Sequence, residues 1–189
     1  MKGPVKLAVE RTYGASKDSS KWQSDRFYGM KKLQFNREGR LTDKRIYGGD
    51  SSLIEKFTYT YNSARRVQER RFDGKLRLTH EKNYSYSWWS GDLDAAVYSP
   101  SDSLLWSATY IFDEQGREKK KKVYGPEGQL NYLITYRYNT DNYIIQQEGV
   151  DKRTYEFTDF DKYGNWIRRI NTEDRIKVSI TVRDITYYD

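Results

Sequence analysis

A recurring phrase decides the fold, and its best copies are Phe112-Asp113-Glu114-Gln115-Gly116-Arg117 and Phe160-Asp161-Lys162-Tyr163-Gly164-Asn165. In each copy an aromatic residue precedes an Asn or Asp, and a short polar turn and a charged segment follow. The copies are anchored at positions 22 to 26 residues apart, namely Phe35, Tyr61, Tyr86, Phe112, Tyr138 and Phe160. Self-similarity at a fixed period indicates one small structural unit repeated along the chain. We therefore interpret residues 1–189 as a single repeat domain.

The segment that leads into each phrase alternates between apolar and polar residues. In residues 130–138 every even position is a large apolar or aromatic residue. Period-two alternation rich in aromatic residues predicts β-strands, and strict alternation predicts an antiparallel sheet with one covered face. The rings expected on that concave or covered face are Tyr59, Tyr61, Tyr84, Tyr86, Trp106, Tyr110, Phe112, Tyr132, Tyr136 and Tyr138.

Each repeat holds two turns, which divide it into two strands. One turn is led by an Asn or Asp, as in residues 113–116, and the other follows the charged strand, as in residues 124–128. The Asn or Asp side chain can bond its own backbone, and glycine supplies the left-handed position. The sequence thus predicts an all-β protein of about twelve to fourteen strands. We expect a single antiparallel β-meander of repeated hairpins forming one open curled sheet.

The returning strands carry charges on both faces, most clearly from Glu118 to Lys122. Unpaired charges are costly to bury. We therefore expect these strands at the open side of the sheet, with Lys and Arg stems covering rings while the charged groups reach water.

Composition limits the chemistry that the chain can support. The net charge is +7 with both signs interspersed, and the 18 Tyr and 5 Trp supply apolar surface that the few aliphatic residues do not. The absence of cysteine excludes disulfides, thiolate metal sites and Cys nucleophiles. No apolar run reaches the ~18 residues of a membrane-spanning helix. No signal-peptide core follows Met1, so we expect a cytoplasmic protein or one whose export signal was replaced by a starting Met.

The repeats resemble the YD-repeat (Rhs-type) pattern, and the two phrases quoted above carry the resemblance best. The whole layout is similar to short YD-repeat-like proteins of Bacteroides-type bacteria, through Gly3-Pro4-Val5-Lys6, the Tyr-Gly-Asn-Trp phrase at 163–166 and the Tyr187-Tyr188 ending. This resemblance implies export to the periplasm, the outer membrane or the cell surface. It leaves the partner open between a glycan and another envelope protein. A chain of about six repeats is too short to enclose a cargo domain as large Rhs proteins do.

Catalytic and cofactor motifs are missing from the sequence. His80 is the one histidine, and it lies on the apolar positions of its strand, where we interpret it as a structural residue. The acidic pairs Asp92/Asp94 and Asp159/Asp161 are typical of turns rather than of a glycosidase dyad. No serine-hydrolase, zinc, P-loop, dinucleotide or EF-hand motif is present. The sequence therefore predicts no catalytic residue, metal or cofactor.

Two groups of residues are candidates for ligand contact. Trp88, Trp89 and Tyr98 lie where the repeat departs from its own turn phrase, and such rings could stack on a sugar. Lys119, Lys120, Lys121 and Lys122 form the densest basic run and could bind an anionic partner. We predict a non-catalytic binding or structural module of the cell envelope. The alternatives are a carbohydrate-binding or glycan-processing accessory protein and a binder of anionic polymers. The chain shows no nucleic-acid-binding motif, which disfavours a nucleic-acid partner.

Overall fold

The protein is an antiparallel meander of β-strands. The computed structural model describes residues 1–18, 21–87, 91–149, 151–174 and 177–189. Those residues contain fourteen strands. The strands are β1 (Val5–Asp18), β2 (Lys21–Phe35), β3 (Leu41–Gly48), β4 (Leu53–Asn62), β5 (Arg65–Asp73), β6 (Leu78–Tyr86), β7 (Leu93–Tyr98), β8 (Leu104–Phe112), β9 (Glu118–Tyr124), β10 (Leu130–Tyr138), β11 (Ile144–Glu148), β12 (Arg153–Phe160), β13 (Trp166–Glu173) and β14 (Lys177–Tyr187).

The order of the strands corrects the expectation of an open sheet. Each strand lies beside its neighbours in sequence, and β1 also pairs with β14, so the strand order closes into a fourteen-stranded barrel. The closing pair runs antiparallel, with Ala8 opposite Ile185 and Glu10 opposite Arg183. Closure satisfies the backbone groups that two free edge strands would have exposed. The repeat phrase describes neighbouring strands and carries no information about this pairing between the first and last strands.

Among the described residues, eight strand junctions use the same five-residue turn. In each, the first residue donates its backbone N–H to the carbonyl of the fifth, and the fourth donates to the carbonyl of the first. The turns begin at Asn36, Gly48, Asp73, Ser99, Asp113, Gly125, Asn139 and Asp161. The two turn classes expected from sequence therefore share one backbone geometry.

Side chains reinforce this turn wherever an Asp or Asn comes first. The Asp113 carboxylate accepts the backbone N–H groups of Gln115 and Arg117 at 3.1 and 2.8 Å. The fourth residue always has positive φ, whether it is a glycine such as Gly116 at 73° or another residue such as Leu76 at 61°. The left-handed conformation is strained for side chains other than glycine, which explains why glycine recurs in the phrase.

Contacts divide the chain into two compact units. Unit 1 comprises Met1–Thr58, Phe72–Arg77 and Tyr155–Asp189, and unit 2 comprises Tyr59–Arg71 and Leu78–Thr154. In unit 2, β6 to β9 pair in register so that Tyr84, Ala95, Ala108 and Val123 lie side by side on one face. We call this the buried face, because Ala95, Ala108 and Val123 are almost fully covered. Trp106 and Tyr110 lie on this face, opposite Val97 and Lys121. The expectation of a covered ring is wrong for Tyr132, which is 38% exposed.

Unit 1 brings together three parts of the sequence that carried the family resemblance. Asn165, which is 2% exposed, accepts a hydrogen bond from the backbone N–H of Lys2 at 2.6 Å and donates one to the Lys2 carbonyl at 2.8 Å. Its amide also donates to the Tyr187 hydroxyl at 3.0 Å, and the Tyr163 and Tyr187 rings lie 4.5 Å apart. We call this arrangement the Asn165 clasp. It connects the opening, the Tyr-Gly-Asn-Trp phrase and the Tyr-Tyr ending.

Candidate functional site

A groove with a floor of small residues crosses the exposed face of β6 to β9, opposite the buried face of unit 2. Register places its residues in two rows across the strands. The rows are Asn83–Ala96–Ser107–Tyr124 and Ser85–Asp94–Thr109–Lys122. Because Ala96 and Ser107 are small and flanked by longer side chains, the sheet surface is hollow there. The cavity measures about 400 Å³ and is lined by Tyr98 as well as by residues of both rows.

The groove combines flat rings with hydrogen-bonding groups. Tyr98 and Tyr124 are half-buried. The exposed Asp94 carboxylate accepts a hydrogen bond from the Thr109 hydroxyl at 2.7 Å, and Asn83 accepts one from Gln68 at 3.4 Å. Carboxylate and amide groups on a partly apolar surface can orient a hydroxyl-bearing ligand, while rings contact its apolar faces.

The structure separates the four lysines that sequence grouped into one basic patch. Phe112 pairs with Glu118 and Ile111 with Lys120, so Lys119 is the extra residue of a β-bulge. The bulge turns Glu118 toward the buried face, where Lys121 also lies opposite Tyr110. Lys120 and Lys122 lie on the exposed face. The run therefore does not form one continuous charged surface.

Cations on the buried face of unit 2 are enclosed by aromatic rings. The Lys82 ammonium donates to the Tyr110 hydroxyl and lies 4.7 to 5.5 Å from the ring centroids of Tyr84, Tyr110 and Trp106. Lys121 lies 5.5 Å from Trp106 and 5.3 Å from Tyr110. Such cation–π contacts stabilise charges that are withdrawn from water. On this face, Lys82, Lys121 and the surrounding rings fill space that aliphatic side chains fill in most protein cores.

Burial shifts the protonation of these groups. Desolvation lowers the pKa of Lys82 to about 8, and it also lowers the pKa of Lys121. Desolvation raises the pKa of Tyr110 and of Glu118, although Tyr136 and the two lysines oppose the shift of Glu118. The expectation that charged groups of the returning strands reach water is therefore wrong for Lys121.

A second cavity of about 480 Å³ opens beside the turn at Asp113. Its lining includes the rings of Phe112, Tyr136 and Tyr138 and the cations of Arg117, Lys119 and Arg137. Arg117 is fixed there, because it donates to Asp113 at 2.7 Å and to Asn142 at 3.0 Å while stacking on Tyr138 at 4.8 Å. Lys119 and Arg137 are exposed at the same cavity.

The remaining candidates from sequence have separate positions. Trp88 and Trp89 lie outside the described residues, so their role stays a prediction, whereas Tyr98 lines the groove. His80 lies in β6. Asp161 is a turn residue whose carboxylate accepts backbone N–H groups from Tyr163 and Asn165, each at 2.9 Å.

The described ranges offer neither a metal cluster nor a membrane-spanning helix. No cluster of three or more His, Cys, Asp or Glu side chains suited to a metal occurs among those residues. The same part of the chain holds no helix with the length and hydropathy needed to cross a membrane.

Sequence reasoning missed Asn83, Thr109 and Tyr124 as groove residues. Each of these residues occupies a position on the exposed face of its strand, so the sequence pattern alone does not single it out. Only the pairing of β6 to β9 shows that these positions are adjacent.

Comparison with known proteins shows the fold. No protein-family model matches the chain, and no curated protein matches it. The chain is similar to the structure of a porin-like protein from Bacteroides uniformis, with a TM-score of 0.54 and 11% identity over 98% of each chain. The YD-repeat resemblance thus remains a prediction without support from a family model.

Two further similarities are weaker. TcdB2-TccC3 without its hypervariable C-terminal region aligns with 92% of this chain and 11% of its own, at 15% identity and a TM-score of 0.35. An outer membrane lipoprotein-sorting protein domain from Vibrio parahaemolyticus aligns with 96% of this chain and 85% of its own, at 10% identity and a TM-score of 0.32. Both TM-scores are too low to support an argument.

Proposed function

We propose that the protein is a non-catalytic binding module of the cell envelope and that it binds a carbohydrate in the groove of β6 to β9. The groove itself carries this proposal. Tyr98 and Tyr124 offer rings for the apolar faces of a sugar, and Asp94, Asn83 and Thr109 offer groups that bond hydroxyls. The envelope location rests on the resemblance to exported proteins of Bacteroides type.

The polar exposed face favours a ligand from solution over a lipid contact. In unit 2, Arg70 pairs with Glu81 on this face at 2.9 Å, and Gln68 donates to Glu81 at 2.8 Å. A face that contacts lipid has apolar side chains at these positions. The name of the porin-like neighbour therefore does not provide a function for this chain.

Binding to a panel of neutral and acidic glycans, measured by calorimetry and tryptophan fluorescence, tests the proposal. Tyr98→Ala and Tyr124→Ala should each weaken binding by about tenfold or more, because each removes a stacking surface worth about 1.4 kcal/mol or more. Tyr132→Ala is the matched control, since Tyr132 is 38% exposed and lies outside the groove. Equal losses in all three variants, or no binding to any glycan, would contradict the proposal.

The non-catalytic part has its own test. Asp94→Asn keeps the size of the groove and removes its carboxylate, so it should weaken glycan binding. Neither the variant nor the unmodified protein should cleave the glycan. Release of new reducing ends by the unmodified protein, lost in Asp94→Asn, would instead establish a glycosidase. A Trp88→Ala/Trp89→Ala variant in the fluorescence titration tests whether the two tryptophans contribute.

A second candidate function is the binding of an acidic polymer at the cavity beside Asp113. The observation that favours it is the pair of exposed cations, Lys119 and Arg137, next to three aromatic rings. Binding of this kind should weaken steeply as salt is added, because exposed charges are screened. Lys119→Ala/Arg137→Ala should abolish it, and Lys120→Ala/Lys122→Ala is the charge-matched control. A salt-independent response, or equal losses in both variants, would exclude this function.

A further inference from the structure

Unit 1 contains a second group of buried charges, located on one face of β1, β13 and β14. The Glu10 side chain and the Arg183 side chain are each 10% exposed. Two nitrogens of the Arg183 guanidinium, Nε at 3.0 Å and Nη2, donate to one oxygen of Glu10. Arg183 also stacks on Trp166, 3.4 Å from the ring centroid. Glu10 and Arg183 therefore neutralise each other.

Arg169 adds a positive charge beside this pair without a carboxylate of its own. Its guanidinium stacks on Trp166 at 4.7 Å and on Tyr155 at 5.0 Å. Arg169 is half-buried overall, and its Nε is buried and has no hydrogen-bond partner among the described residues. Glu10 attracts Arg169 electrostatically, but one Glu10 oxygen already accepts both donors of Arg183. A half-buried guanidinium whose nearest carboxylate is shared with another arginine gains from a further anion that accepts from its buried Nε.

An unsatisfied acceptor lies on the same face, two residues further along β13. The Asn171 amide nitrogen donates to the carbonyl of Ser179 at 3.3 Å and to the Thr181 hydroxyl at 3.0 Å. Its Oδ1 is buried and accepts no hydrogen bond from the described part of the chain. Residues two apart in a strand lie about 6.6 Å apart. That spacing suits one small ligand between the Arg169 donor and the Asn171 acceptor.

We propose that Arg169 and Asn171 bind a small oxyanion that still carries a proton, of the phosphate class. The Nε and a neighbouring nitrogen of Arg169 donate to two oxygens of the anion in the forked geometry that suits phosphate. A P–OH group donates to Asn171 Oδ1. Sulfate and acetate lack this proton at neutral pH, and water alone would leave the charge of Arg169 uncompensated. This site is independent of the groove in unit 2.

Urea unfolding of the full chain at constant ionic strength provides the test, with chloride, sulfate, acetate and inorganic phosphate compared. Phosphate at about 100 times its dissociation constant should lower the unfolding constant about a hundredfold. Sulfate and acetate should act less, and Asn171→Ala should reduce the preference for phosphate over sulfate. Glycerol phosphate as a further arm distinguishes free phosphate from a phosphate ester.

Two variants isolate the contribution of Arg169. Arg169→Met should remove the response to phosphate, whereas Arg168→Met should keep it. Arg168 is the matched control because its guanidinium donates to Thr158 and the Trp22 carbonyl instead. If Arg169→Met does not fold, Arg169→Lys retains the charge without the fork and should bind phosphate at least tenfold more weakly. Equal unfolding midpoints in phosphate and chloride, or an unchanged phosphate response in either Arg169 variant, would overturn the proposal.

Discussion

The Asn165 clasp predicts a large loss of stability from the substitution of one buried side chain. Asn165→Ala removes the hydrogen bonds of the Asn165 amide to the backbone N–H and carbonyl of Lys2 and to the Tyr187 hydroxyl. These groups lie around a residue that is 2% exposed, so water replaces the lost partner poorly. At about 1 kcal/mol for each of the three bonds, the free energy of unfolding should fall by about 3 kcal/mol.

Urea unfolding followed by tryptophan fluorescence measures this change. A loss of that size corresponds to a midpoint lower by about 1–1.5 M for slopes of 2–3 kcal/mol/M. In hydrogen exchange, the Lys2 amide should lose its protection. Asn139→Ala is the control, because the Asn139 side chain accepts the backbone N–H groups of Asp141 and Tyr143 within its own turn rather than joining distant parts of the described chain. A loss below about 1 kcal/mol for Asn165→Ala, or one no larger than that of Asn139→Ala, would refute the reasoning.

Three further predictions concern the turns, the buried lysine and the chain opening. Leu76→Gly should stabilise the protein by about 1 kcal/mol in thermal unfolding, because Leu76 is 57% exposed and held at positive φ; destabilisation would contradict this. Burial lowers the pKa of Lys82 from 10.5 to about 8, so the stability that its neutral form contributes is complete above pH 10.5 and is lost as pH falls through about 8. Between pH 8 and 10 the free energy of unfolding of the unmodified protein should rise by about 1 kcal/mol per pH unit relative to that of Lys82→Met. Lys122→Met, on the exposed face, is the control. A difference in stability that does not change with pH, or the same pH dependence relative to Lys122→Met, would exclude the lowered pKa. Gly3→Ala should destabilise by about 1–2 kcal/mol, since φ is +78° and an added Cβ would lie 3.2 Å from the Tyr163 ring; an unchanged melting temperature would refute it.

Local features of the fold were predictable from sequence, because they depend on residues close together in the chain. The Asx-led turn at Asp113 and the alternation before it follow from backbone chemistry that the phrase itself contains. Barrel closure was not predictable, since it depends on β1 meeting β14 more than 160 residues away. The sequence similarity of repeats describes each strand and its neighbour, and it does not distinguish an open sheet from a closed one.

The candidate site was predictable only in part, because strand register decides on which face a side chain lies. Tyr98 was predicted because it lies near the repeat that lacks the usual turn phrase, and it lines the groove. A single β-bulge at Lys119 changes the face on which each following lysine lies, and no residue type in the run marks that bulge. Lys121 therefore lies half-buried against the rings of Trp106 and Tyr110, whereas Lys120 and Lys122 lie on the opposite face.

The shared five-residue turn has a consequence for how such a chain can change length. Closure requires β1 and the last strand to run antiparallel, and in an up-and-down meander this holds only when the number of strands is even. Adding one strand would reverse the direction of the closing pair, whereas adding two strands with two turns keeps it. The smallest permitted insertion is thus a segment of roughly 25 residues, which is the period of the sequence itself. Duplication of one repeat in the gene is the step that lengthens the protein while preserving every existing strand pair except the one at the insertion.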